Sequence, residues 1–297
     1  MAYFYGSAVA MAGLRTALVD ACTANGWSWD ADSEVLSKGA MYLRLQVVGD
    51  YLVLLGRTAS GSGDAPNAVR IGQLGSTPVT WPVTYEIFVF EDEVFMTINY
   101  SIDYYQWCMF GRSKVAGLPG TGMFVSASLS HQAASNGVQI STSSGGAGGL
   151  SKACPAAFWA TSGSTSGTYR AHYNSWIHSD IDGQGWLLSQ AIADGAVGAA
   201  AMSPLVTLLP NNWNSEAVLL PLRAWKTRAS SKVSLVLELE YARVTRVDFF
   251  DPGQVIELGP DRWKVFPWYR KSTSERNGTT TGDHTGTLGW AIRYEGP

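Results

Sequence analysis

The sequence predicts a mainly β protein of α+β type: antiparallel sheets of sandwich or barrel-like form, one N-terminal helix, and long Gly/Ser-rich loops. Three observations carry this. Runs rich in Val, Leu, Ile and aromatics recur with period-two alternation and are broken by Gly or acidic turns. Helical spacing is clear only near the N-terminus. Two stretches are so rich in Gly, Ser and Thr that they bury little surface and read as surface loops.

The elements follow in order. Val9, Leu14, Leu18, Ala21 and Cys22 recur at helical spacing, and Gly26 in "TANGW" supplies a C-terminal stop, so the N-terminal stretch reads as one helix. "MYLRLQVVGDYLVLLGR" reads as a β-hairpin turning at Gly49-Asp50, and "VTYEIFVFEDEVFMTINYS" as a second. There Tyr85, Ile87 and Val89 share a face, Glu91-Asp92-Glu93 form the turn, and "YYQWCMFGRS" continues the sheet. Residues 128–168 are loop-like around "CPAAFWA", and a second helix is expected near 186–200. From residue 204 strand signals return, with "KVSLVLELEYARV" alternating as a half-buried strand does and "DRWKVFPWYR" pairing with "GWAIRYEG". The resulting division is 1–127 (helix plus β domain), 128–177 (loop or insertion) and 178–297 (C-terminal β domain).

Composition bounds the function. The chain has 297 residues, 46% of them hydrophobic and only 15% charged, which suits a large buried core and excludes a disordered chain. A formal net charge of −3, with Lys and Arg scattered, argues against nucleic-acid binding, which needs a basic field. Cys22, Cys108 and Cys154 are widely spaced with no CxxC, as free thiols of a protein made in a reducing cytoplasm would be. No signal peptide is read at the start, and no apolar run reaches the length of a membrane span.

Chemistry is sought by elimination. His178, Asp180 and Asp182 alternate in "HSDID", where a shared strand face would gather nitrogen and oxygen ligands for a divalent ion; Asp in loops more often serves turns. Asp283 and His284 adjoin in "GDHTG", yet no GxSxG nucleophile turn accompanies them. P-loop, HExxH and dinucleotide motifs are missing, so no cofactor is expected. Glu91, Asp92 and Glu93 read as a solvated cap on a turn, and Glu238 with Glu240 as the wet face of a strand, although the carboxylates of a glycosidase carry no fixed spacing.

Aromatics are the remaining signal. Twelve Trp serve core and interface packing first. Trp159, Tyr169, Tyr173 and Trp176, around the Gly/Ser loops, could instead stack on sugar rings. In "DRWKVFPWYRK", alternation sets Trp263, Val265 and Pro267 against Arg262, Lys264, Phe266 and Trp268. The basic residues are therefore not gathered into a groove, and Arg270 and Lys271 stand where contact with another chain is expected.

Both ends of the chain and one internal block resemble a family of tailed-bacteriophage virion proteins, loosely described as structural proteins of the tail or baseplate. The opening "MAYFYGSAVAMAGLRTALVDACTANGWSW" is similar to the family's tyrosine-containing start, helix and "NGW"-like turn. Tyr85, Phe88, Val89, Tyr105 and Gly111 stand at matching places in the internal block, and Gly259, Trp263, Val265, Phe266, Arg270, Trp290 and Ala291 in the C-terminal one. The likeness covers about half the chain and leaves 128–200 unmatched. It implies a non-enzymatic virion component, assembled in the host bacterial cytoplasm through contacts with copies of itself and other tail or baseplate proteins, without nucleic acid or membrane insertion. Two alternatives stand beside it: a receptor- or carbohydrate-binding tail component contacting host glycan, and a tail-associated glycan hydrolase.

Overall fold

The computed structural model describes residues 1–73, 78–101, 104–130, 157–158, 174–188, 219–230, 232–247, 250–268 and 288–297. In chain order, β1 (Ala2–Ala8) precedes α1 (Met11–Thr23), and β2 (Ser28–Asp30), β3 (Val35–Lys38), β4 (Met41–Val48), β5 (Tyr51–Arg57) and β6 (Val69–Gly72) follow. Next come β7 (Val83–Val89), β8 (Glu93–Ser101), β9 (Tyr104–Arg112), β10 (Met123–Ala127), β11 (Leu129–Ser130), β12 (Ser175–His178) and β13 (Trp186–Leu188). The last group is β14 (Leu220–Arg228), β15 (Lys232–Arg246), β16 (Val255–Leu258), β17 (Asp261–Pro267) and β18 (Leu288–Arg293).

These strands form three antiparallel sheets. The central sheet runs β1-β7-β8-β9-β10-β12-β13, a second runs β11-β6-β5-β4-β3-β2, and the C-terminal sheet runs β14-β15-β18-β17-β16. The central sheet is covered on both faces. Val94, Met96 and Ile98 of β8 and Cys108 and Phe110 of β9 join the core shared with α1 and the second sheet. Phe95, Trp107 and Met109, on the alternate positions, join the core shared with the C-terminal sheet. This is why β8 and β9 read as nearly continuous apolar runs: a strand covered on both faces needs no polar face.

The predicted hairpins are β4–β5 and β7–β8, the first turning at Gly49, whose φ of 56° is costly for a residue with a Cβ. β17 pairs with β18 as expected. Helix α1 buries Leu14, Leu18 and Cys22 on one stripe, and Gly26 (φ 85°) ends it so that Trp27 returns to the core.

Four expectations change. Val9 precedes α1 and is 77% exposed, not part of the helix's buried stripe, and residues 2–8 before it form a strand. β12 and β13 complete the central sheet, so a boundary at 178 runs through a sheet that N-terminal strands build. Of the second helix near 186–200, residues 186–188 are strand β13 and the rest lies outside the described residues. Glu93 is no part of a solvated cap: it opens β8 and is fully buried.

Buried polar ties register the layers. Gln106 reaches from β9 to Gly72 of β6, donating to its carbonyl and accepting its N–H at 2.7 Å each. The Ser113 hydroxyl donates to the Val236 carbonyl at 3.0 Å. β15 carries a bulge, since Leu222 alone on β14 faces Leu239, Glu240, Tyr241 and Ala242. Glu93 accepts the N–H groups of Glu240 and Tyr241 at 2.8 and 3.1 Å. Arg243 donates to the carbonyls of Leu239, Glu240 and Ala242.

Candidate functional site

The edge of the central sheet is the candidate contact site. β1 pairs with β7 on one side only, and among the described residues no strand pairs with its other side. An open strand edge offers a row of backbone donors and acceptors to another chain. β1 reads AYFYGSA, so the strand itself carries no charge, no Pro and no bulge in its pairing to blunt the edge. Tyr5 is 74% exposed in its middle and Val9 stands exposed just beyond.

The strand is held from below. Ala2, Phe4 and Ala8 face the helix side, while Tyr3 turns toward the C-terminal sheet. The Tyr3 hydroxyl donates to Glu86 Oε2 at 2.7 Å, and Lys264 Nζ donates to both the Tyr3 oxygen (2.8 Å) and Glu86 Oε2 (2.5 Å). The ammonium lies 4.9, 5.3 and 5.9 Å from the ring centres of Tyr3, Tyr294 and Phe266. Burial, then the hydrogen bond to the Glu86 carboxylate, pushes the Tyr3 phenol well above its ordinary range, so it stays a proton donor. The Tyr85 ring crosses over Gly6, and a Cβ there would lie 2.6 Å from the Tyr85 oxygen. The arrangement is a strand tied through Tyr3 to the C-terminal sheet, with an uncharged outer edge.

The sequence-predicted site residues fare differently. Trp159, Tyr169, Tyr173, Arg270 and Lys271 lie outside the described residues. Trp176 is corrected: it lies on β12, not on a loop, and its side chain is buried in the core against the second sheet, where it cannot stack on a sugar. His178, Asp180 and Asp182 do not share a strand face. His178 ends β12 and its Nδ1 accepts the Thr121 N–H at 3.0 Å, with burial pulling the imidazole pKa down. The Asp180 carboxylate accepts the Gly185 N–H at 2.9 Å, and Asp182 pairs with Arg228. Both aspartates have positive φ, which Asp tolerates in turns. The buried Lys226 ammonium donates to the Ile181 carbonyl at 3.3 Å and to Gln184 Oε1, so an internal cation already satisfies these oxygens. Among the described residues no group of three His, Cys, Asp or Glu side chains could hold a metal ion.

Of the paired acids, Glu238 is bound by Arg223 and Glu240 by Lys114, both part-exposed. Glu93 is the perturbed one. Its burial pushes the carboxyl pKa up to about 7; the two N–H groups of the bulge and the Lys114 charge pull the other way, and Glu240 adds to the rise. The signal missed in the sequence was that one member of an acidic triplet falls on an inward position of the following strand. Cys22 and Cys108 are buried free thiols, raised by desolvation and hence unreactive. Among the described residues no helix is long and apolar enough to cross a membrane.

No protein-family profile matches the chain, and no curated protein matches it.

Proposed function

We propose that the protein is a structural subunit that works through protein–protein contacts, as a component of a tailed-bacteriophage virion, in the tail or baseplate. The observation that carries the contact role is the open, uncharged β1 edge, with Tyr5 exposed on it and Val9 exposed just beyond, on a strand tied down through Lys264 and Glu86. A stiff strand edge can be joined by a strand of a neighbouring subunit at little ordering cost. The virion assignment is supported by the sequence resemblance of the N-terminal, internal and C-terminal blocks.

Two measurements test it. Sedimentation of the purified protein should show association that Tyr5→Lys reduces, since a charge on the edge blocks strand addition without touching the core. Labelling of purified particles should place the protein on the tail. Particles that lack it, or association unaffected by Tyr5→Lys, count against the respective half of the proposal.

A further inference from the structure

The ladder of the central sheet fixes which backbone groups of β1 are unused. Across the β7–β8 turn the Phe90 N–H donates to the Glu93 carbonyl at 2.8 Å, so that opposed pair is hydrogen-bonded. Bonded and non-bonded pairs alternate along an antiparallel ladder, and the β7–β8 register runs unbroken from Val89↔Val94 to Thr84↔Asn99. Phe88, Glu86 and Thr84 therefore bond β8, while Val89, Ile87, Tyr85 and Val83 turn their N–H and C=O groups to β1. Their partners there are Ala2, Phe4, Gly6 and Ala8. Tyr3, Tyr5 and Ser7 consequently point their backbone groups outward, where no described strand takes them. The side chains of Tyr5 and Ser7 are exposed as well.

The other open edges among the described residues are short or blocked. β11 has two residues and β13 three. β2 has three with Asp30 among them, and β16 has four with Glu257. β14 is longer, but it carries Pro221, Arg223, Lys226 and Arg228 and its pairing shifts register. β1 offers seven residues free of charge, Pro and bulge, so the edge of this chain that matches it is another β1. Antiparallel pairing centred on Tyr5 overlaps the whole of Ala2–Ala8. Tyr5 then faces Tyr5 of the second copy, and Tyr3 faces its Ser7, so outward backbone groups meet outward groups in each bonded pair. Moving the centre by half a residue sets outward groups against inward ones. Moving it by a full residue leaves strand ends unpaired. Tyr3 and Tyr5 already stack on one face with ring centres 5.9 Å apart, and the facing Tyr5 rings extend that aromatic row across the axis.

We infer that β1 pairs with β1 of a second copy of this chain, antiparallel about a twofold axis at Tyr5, joining two central sheets into one continuous sheet. The inference rests on the reading of the β1 edge as the contact site and names its partner.

The test uses the intact chain. Amide exchange at Tyr3, Tyr5 and Ser7 should slow at least about tenfold from dilute to concentrated protein, as mass action fills the dimer. Exchange at Gly49, in the β4–β5 turn, should not change. Cys22 and Cys108 are buried, so Cys154→Ser provides a background for cross-linking. In it, Tyr5→Cys should oxidise to a covalent dimer, because a bonded antiparallel pair holds its Cα atoms about 5.5 Å apart, within disulfide reach. Val9→Cys, whose two copies this register holds far apart, should stay monomeric. Exchange independent of concentration, or a Val9→Cys dimer formed as readily as the Tyr5→Cys one, overturns the inference. Association that Tyr5→Lys reduces but that yields no Tyr5→Cys dimer defeats this pairing and leaves the contact reading of the edge standing. Association untouched by Tyr5→Lys defeats both.

Discussion

Glu93 on the central sheet and Tyr241 on the C-terminal sheet are joined through the β15 bulge: the Glu93 carboxyl accepts the Tyr241 N–H at 3.1 Å while the Tyr241 ring stacks on Phe90 with centroids 4.0 Å apart. The bulge explains why the contact exists. It removes the Glu240 and Tyr241 N–H groups from the β14 ladder, and a buried donor must find an acceptor. Glu93 supplies it on one side, and Arg243 takes the bulge carbonyls on the other.

The first prediction concerns pH. Glu93 holds its proton up to about 7 in the fold, against an ordinary 4.5. Between these values the native state binds a proton that the unfolded chain has released, so unfolding free energy falls as pH rises. The contribution is full below about pH 4.5 and is lost toward 7, on the order of 3 kcal/mol. Urea unfolding at pH 5 and 7.5 should show this slope, and Glu93→Gln should flatten it. A variant that keeps the slope shows that the titrating group lies elsewhere.

Lys264 supports a second prediction. Its ammonium joins Glu86, Tyr3 and two further rings, and its side chain is 13% exposed. Lys264→Met keeps the stem but takes the balancing charge from the Glu86 carboxylate and leaves it the Tyr3 hydroxyl as donor, at a cost of about 2–3 kcal/mol after allowing for the partial exposure of Glu86. Adding Glu86→Gln should restore part of the loss, and the double-mutant cycle reports the coupling. Simple additivity would mean that the pair is not coupled.

Gln106 supports a third. Gln106→Leu preserves volume but orphans both the N–H and the carbonyl of Gly72, costing about 2–4 kcal/mol. Faster hydrogen exchange at the Gly72 amide than elsewhere in β6 would locate the damage at this tie.

What was legible in the sequence is what depends on near neighbours. The hairpins at Gly49 and Glu91-Asp92 carry their turns and alternation within some twenty residues, and the helix carries its stripe and its Gly26 stop. What was not legible depends on distant pairing. Glu93 resembles its turn neighbours Glu91 and Asp92 until a strand 147 positions away covers it. β1 is not read as a strand from the sequence because its inward Phe4 and outward Tyr5 are both aromatic and hide the alternation.

Trp176 carries the last prediction, and it alters how a glycan-binding role is tested. The side chain is 5% exposed, on a strand between β10 and β13, within the same core as Val125 and Ala127. Removing it leaves a large cavity, so Trp176→Ala should cost about 3–5 kcal/mol of stability. Its indole N–H has no acceptor, so Trp176→Phe loses packing but no hydrogen bond and should cost clearly less. A loss of glycan binding in Trp176→Ala would thus report unfolding rather than a missing platform. The informative comparison is Trp159→Ala with Trp176→Phe, each checked by thermal melting. Glycan retention by the intact protein that disappears in Trp159→Ala at unchanged Tm would favour the carbohydrate-binding alternative. Loss in both variants in proportion to Tm would tie the effect to stability.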